Sequence, residues 1–258
     1  MRFFNAFIVA FATYSRIPMP QAEWNDENMK YSICFFPLVG AVVGAILCGW
    51  YYLAGLLGFN TIIFAAVCAC IPTFVTGGIH MDGYCDTIDA LSSYQPRERK
   101  LEILKDSNSG AFAVIKTGVY FLIYFAAFSQ ITLDGIFIIS VGFILSRVMS
   151  GFAIVNFKPA KGSGLAAAFK NAAHKRNVTL ILVFTGLLCA AAMIFISPLY
   201  GTAAILCSLI VFVYYRVMSY KQFGGITGDI AGYFLIMCEL CMTCGVVLTE
   251  RIVNLWSL

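Results

Sequence analysis

The run Gly77-Gly78-Ile79-His80-Met81-Asp82-Gly83-Tyr84-Cys85-Asp86-Thr87-Ile88-Asp89 is the part of the chain best equipped for chemistry. Its carboxylates recur at i, i+4 and i+7. On a helix turning by about 100° per residue, Asp82, Asp86 and Asp89 therefore fall within an arc of roughly 60°. Three like charges on one face repel unless a cation lies between them. Hard divalent ions such as magnesium take oxygen ligands from a few carboxylates plus substrate phosphates, so the spacing predicts a metal-binding trio. A solvated acidic helix start explains one Asp, but not three on one face. His80 is open to two readings, a general base or phosphate-orienting group and a locally hydrogen-bonded side chain.

Two further polar clusters each precede an apolar run. Lys105-Asp106-Ser107-Asn108-Ser109-Gly110 offers an ammonium, hydroxyls and backbone N–H groups at a helix N-terminus, which suits an anion; capping of that helix is the plainer alternative. Gly224-Gly225-Ile226-Thr227-Gly228-Asp229 lets backbone approach a ligand closely and presents Asp229 as a further metal ligand, or else forms a flexible link with an Asp cap. Lys116, Arg147, Arg216 and Glu239 lie inside apolar runs. Ionisable groups there are costly and usually face the bundle interior; snorkelling suits Lys116 and Arg216, and Glu239 lies deep enough to point inward.

The elements that position these groups follow from hydropathy. Of 258 residues, 60% are hydrophobic and 12% charged, whereas about a quarter of the residues in soluble domains are charged. Apolar runs near 33–57, 61–79, 112–130, 136–156, 178–196, 200–218 and 231–249 approach the length of a bilayer crossing. The fold class expected is all-α, a polytopic transmembrane bundle of about seven spans plus a short N-terminal apolar segment near 3–17, in a single domain over 1–258. The segment carries no small-residue cleavage site and could lie at the interface.

Connections at 58–60, 131–135 and 197–199 are tight turns, so the longer links at 18–32, 80–111, 157–177 and 219–230 must share the other side. Link 157–177 carries Lys158, Lys161, Lys170, Lys175 and Arg176 and no acid, which assigns that side to the cytoplasm. Link 80–111 is rich in acids, so an acidic and a basic loop face one another.

These motifs, in this order, resemble the cobalamin synthase (adenosylcobinamide-GDP ribazoletransferase) family. The resemblance rests on Ser15-Arg16-Ile17-Pro18, Phe36-Pro37-Leu38-Val39-Gly40, the Gly-Gly-x-His-x-Asp-Gly-x-x-Asp-x-x-Asp core at 77–89, Lys105-Asp106-Ser107 and Gly224-Gly225-x-Thr227-Gly-Asp229. Asn108, where the family has arginine, and Ala90, where it has glycine, depart from the pattern. The resemblance implies a magnesium-dependent joining of adenosylcobinamide-GDP to α-ribazole or its 5′-phosphate with release of GMP, at a prokaryotic inner membrane with the site facing the cytoplasm. The residues fit such a transfer with metal held by Asp82, Asp86 and Asp89 and with Asp229 as a further candidate ligand. Substrate phosphates would meet Lys105, Ser107, Arg147, Lys161, Gly224, Gly225 and Thr227, and Asp89, Asp106 or His80 would take the hydroxyl proton. The Gly162-Ser163-Gly164-Leu165-Ala166 stretch reads first as an ordinary flexible link, with a lid over the substrates as the alternative.

Expected partners are the two small-molecule substrates and the lipid bilayer, with no nucleic acid, and with a second copy or other corrinoid enzymes as further candidates. Two rival readings are a CDP-alcohol phosphotransferase, whose Asp-Gly-x-x-Ala-Arg element is missing here, and a cation transporter using Glu239 and the aspartates.

Overall fold

The computed structural model describes residues 2–106 and 108–256, and their regular elements are all helices. α1 (Arg2–Tyr14) and the short α2 (Asp26–Met29) lead through a 3-10 turn, Ser32–Phe35, into α3 (Phe36–Leu56). α4 (Thr61–Thr76), α5 (Ile79–Ser92) and α6 (Arg97–Ile103) follow, then α7 (Ala111–Phe128) and α8 (Leu133–Asn156). α9 (Leu165–Ala172), α10 (Lys175–Ile196), α11 (Pro198–Phe223) and α12 (Gly228–Trp256) complete the chain.

By length and composition six segments can cross a membrane, namely Asp26–Leu56, α7, α8, α10, α11 and α12, and α4 with α5 makes a seventh candidate bent by 95°. At 13 residues, α1 reaches only about 20 Å, short of the roughly 30 Å hydrocarbon core. Helix starts are capped as local chemistry dictates: the side chains of Asn60, Thr132 and Ser197 accept backbone N–H groups at α4, α8 and α11, and Pro198 occupies the first turn of α11.

The four long links hold one another at one end of the bundle. Arg16 N–H donates to Val75 O (2.9 Å) and His174 N–H to Lys30 O (3.2 Å). Ile226 N–H donates to Lys158 O (2.9 Å), Ala160 N–H to Ile226 O (2.8 Å), and Lys100 Nζ to Gln222 Oε1 (2.6 Å). At the other end, Glu250 accepts from Thr132 and Arg251 donates to Gln130.

Link 80–111 is not the open loop expected from hydropathy, because α5 and α6 occupy much of it; α9 likewise lies in the basic link, and α11 runs on through 219–223. These pieces are short or polar, and α5 turns its apolar residues Met81, Tyr84 and Ile88 to neighbouring helices, so an average over a span-length window misses them.

Packing brings backbones into contact. A Cβ on Gly40 would fall 2.2 Å from Phe143 O and one on Gly44 2.6 Å from Ser140 O, the small-x-x-x-small logic of membrane helix pairs, here joining α3 to α8. α8 and α12 are joined by Arg147 and Glu239, 2.7 Å apart and almost fully buried.

Candidate functional site

The site begins at a corner. Gly77 (φ 66°) and Gly78 (φ 83°) are both left-handed, a conformation that side chains disfavour, and together they turn α5 by 95° from α4. α5 then crosses the start of α12 at near-contact distance. A Cβ on Gly83 would lie 2.8 Å from Asp229 Cα, and one on Gly232 would lie 3.0 Å from His80 O. Side chains at Gly83 and Gly232 would therefore part the helices. Their closeness puts Asp82 and Asp229 on one cavity.

The second glycine pair closes the other wall. Gly224 (φ 75°) packs against the Arg97 guanidinium, and a Cβ on Gly225 (φ 158°) would strike Lys158 O at 2.4 Å. The link from Lys158 to Ala160 can therefore lie against Ile226. Thr227 Oγ1 caps α12, accepting from Ile230 N–H (3.3 Å) and donating to Asp229 Oδ2 (3.2 Å).

The cavity measures about 300 Å³. Asp82, Asp229, Lys105, Lys161, Ser163 and Thr227 form its more exposed rim, and Tyr14, Phe36, His80, Ser150, Ile154 and Leu235 its buried wall. Lys161 Nζ donates to Leu101 O; burial pushes its pKa below the usual lysine range, with the charge of Lys105 acting the same way. The charges of Asp82, Asp229, Asp89 and Asp106 all bear on Asp86, so the acids form one electrostatic unit. Among the described residues, no three His, Cys, Asp or Glu side chains converge closely enough to hold a metal ion by themselves.

Of the residues singled out from the sequence, His80, Asp82, Lys105, Lys161, Thr227 and Asp229 line this cavity, as do Ser163, Gly164, Leu165 and Ala166 of the glycine-rich link. Asp86, Gly224 and Gly225 do not line it. Ser107 lies outside the described residues.

Three further residues from the sequence reading lie outside the cavity lining and have protein partners. Asp89, read as metal ligand or base, has both oxygens engaged at the start of α7: Oδ2 accepts from Gly110 N–H (2.5 Å) and Oδ1 from Ala113 N–H (3.0 Å). Asp106, read as a base, folds onto its own loop. Hydrogen bonds from the Asn108 backbone N–H (3.0 Å) and then its side chain (2.9 Å) hold its pKa below the usual carboxylate range. Arg147, read as a phosphate contact, is buried against Glu239, Ser146 Oγ and Phe143 O; the low-dielectric interior selects a carboxylate partner within the bundle over a substrate at its mouth.

Asp89→Ala is accordingly expected to cost about 1 kcal/mol of stability, the worth of a helix cap, seen as a lower thermal midpoint in detergent, with Asp89→Asn, which keeps one acceptor, falling between. Equal midpoints for all three proteins would remove the capping role.

Tyr14 and Ser150 were not singled out from the sequence as site residues. Tyr14 ends an apolar segment, and Ser150 is one small residue within an apolar run, a pattern shared with residues that only pack.

Comparison with known proteins agrees across the chain. Residues 6–247 match the family profile described as cobalamin-5-phosphate synthase. A protein of Lachnoclostridium phytofermentans named adenosylcobinamide-GDP ribazoletransferase is 47% identical over 253 residues, covering 98% of this chain and 97% of its own. Proteins of the same name from Clostridium perfringens (92% of this chain, 95% of theirs) and a Geobacillus species (93% and 94%) are each 32% identical. No solved structure matches the chain.

Proposed function

The chain belongs to the cobalamin-5-phosphate synthase family, and from that membership we propose that it joins adenosylcobinamide-GDP to α-ribazole, or to its 5′-phosphate, in a multi-pass membrane domain. A ribazole hydroxyl oxygen attacks the cobinamide-side phosphorus of the pyrophosphate, the bond to the bridging oxygen breaks, and GMP leaves. The hydroxyl proton passes to a free oxygen of a rim carboxylate. Asp82, the more exposed of the two, is the candidate, since Asp229 is held by Thr227. Lys105 and Lys161 supply positive charge to the pyrophosphate from the same rim.

The observation that carries this reading is the shared cavity, which combines two carboxylates and two ammonium groups beside a buried apolar wall. The reaction needs pyrophosphate charge neutralised and the nucleophile aligned.

The donor set fits magnesium. Asp82 and Asp229 offer hard oxygens in a site without soft ligands, and two carboxylates leave coordination positions for water and substrate phosphates, the usual mode for this ion. When bound there, magnesium supplies charge neutralisation along the pyrophosphate. The basic residues Lys158, Lys161, Lys170, Lys175 and Arg176 at the same end of the bundle support a cytoplasmic-facing site in a prokaryotic cell membrane. A transport reading is disfavoured by Glu239, the deep carboxylate it would need, because Arg147 already neutralises it.

Purified protein in detergent, given both substrates and magnesium, is expected to release GMP in step with corrinoid product. Chelation with EDTA should stop turnover and added magnesium restore it. No product across a range of metals and detergents would overturn the reading, and turnover unaffected by EDTA would remove the metal from it.

A further inference from the structure

Two residues lining the cavity, His80 and Ser150, each carry a buried polar side-chain atom without a protein partner, His80 Nε2 and Ser150 Oγ. His80 is 6% exposed and Ser150 1%. The other unpartnered buried side-chain atoms among the described residues belong to Thr87, Tyr120, Tyr124, Tyr215 and Arg147, none of which lines this cavity. A buried polar atom left unpaired costs about 1–3 kcal/mol. Both atoms belong to residues that line one cavity, which favours a ligand that a small side-chain rotation lets complete their hydrogen bonds.

The surroundings define that ligand. Tyr14, Phe36, Ile154 and Leu235 share the buried wall. The His80 ring has Phe36 at 5.8 Å and Tyr14 at 6.2 Å, and Tyr14 and Phe36 lie 4.1 Å apart, so the three rings form one cluster. The ionisable lining residues other than His80 and Tyr14, namely Asp82, Lys105, Lys161 and Asp229, are at the more exposed rim. An uncharged, largely apolar occupant with one or two hydrogen-bonding atoms, attached to a group that extends to the charged rim, fits this lining.

Resting on the proposed reaction, we propose that this wall seats the neutral heteroaromatic base of the ribazole. Tyr14 and Phe36 lie against its ring, and His80 Nε2 and Ser150 Oγ meet its polar edge. The sugar hydroxyl then points outward to Asp82 and Asp229. His80 is thereby a positioning residue that reads the base, rather than the acceptor of the hydroxyl proton. The guanine of the other substrate is the competing occupant. It carries hydrogen-bonding groups around most of its edge, and a wall with two polar atoms would leave several of them unpaired, a mismatch that costs affinity.

The test measures steady-state kinetics with each substrate varied in turn for wild type, His80→Ala, Ser150→Ala and Phe36→Leu, alongside calorimetric titration of α-ribazole alone into each protein. Loss of one hydrogen-bond partner should weaken ribazole binding about tenfold, with a matching rise in its KM, a smaller change in kcat and little change in the KM for adenosylcobinamide-GDP. Phe36→Leu should alter the ranking of ribazoles that carry different bases. A rise confined to the KM for adenosylcobinamide-GDP would give the wall to guanine. A kcat collapse in His80→Ala with loss of one limb of the pH profile would make His80 the base, and unchanged ribazole affinity in both His80→Ala and Ser150→Ala would end the proposal. Should His80→Ala not insert, Ser150→Ala, which removes only a hydroxyl, decides the matter. Wild-type protein that makes no product would count against the proposed reaction; ribazole titration into wild type, which needs no turnover, still tests the seat.

Discussion

Replacing Asp82 by Asn should lower turnover about 10²–10⁴-fold, the loss typical of removing a positioned general base. The change is isosteric and the side chain is exposed, so the thermal midpoint in detergent should stay where it is. That combination separates a chemical role from a packing one. Asp82 stands on α5 at the cavity rim, with Asp229 brought alongside by the Gly83 contact. Asp229→Asn should reduce activity comparably, with some loss of stability because Asp229 is half-buried and tied to the Thr227 cap. Asp82→Asn retaining more than a tenth of wild-type turnover would remove Asp82 from the chemistry.

The second large effect lies away from the cavity. Arg147→Met should destabilise the protein by about 3–5 kcal/mol, because it leaves the Glu239 carboxylate buried without its partner. The pair fixes the register of two helices that build the site: α8 carries Ser150 and Ile154 one to two turns beyond Arg147, and α12 carries Leu235 about one turn before Glu239. Arg147→Met should therefore also lower activity without touching substrate. The double change Arg147→Met with Glu239→Leu removes both charges and should recover most of the lost stability, since an apolar replacement of a buried pair is often neutral. Thermal unfolding of the two single variants and the double variant checks this. Additive losses in the double variant, or a negligible loss in Arg147→Met, would contradict the pairing.

Much of this protein is written in local sequence. Apolar runs separated alternately by tight and long connections determine a bundle of about seven spans with its charged links at one end, because the cost of exposing backbone and charge to lipid leaves few other solutions. The glycine pairs at 77–78 and 224–225 mark the two turns beside the cavity, because the left-handed backbone they adopt excludes most other residues. The spacing of Asp82, Asp86 and Asp89 places them on the less buried face of α5.

Which of those carboxylates reaches the cavity was decided by the tertiary structure alone. Asp89 is turned to the start of α7, and Asp229, on a distant helix, comes beside Asp82 through contact of two glycine-bearing helices. Arg147 and Glu239 are legible as two costly charges inside apolar runs, but not as partners, and Ser150 and Tyr14 are not legible as site residues at all. The reason is geometric. Periodicity sets the face of a helix on which a side chain lies. What that face meets depends on the crossing angle and rotation of a second helix, which only the packed bundle determines.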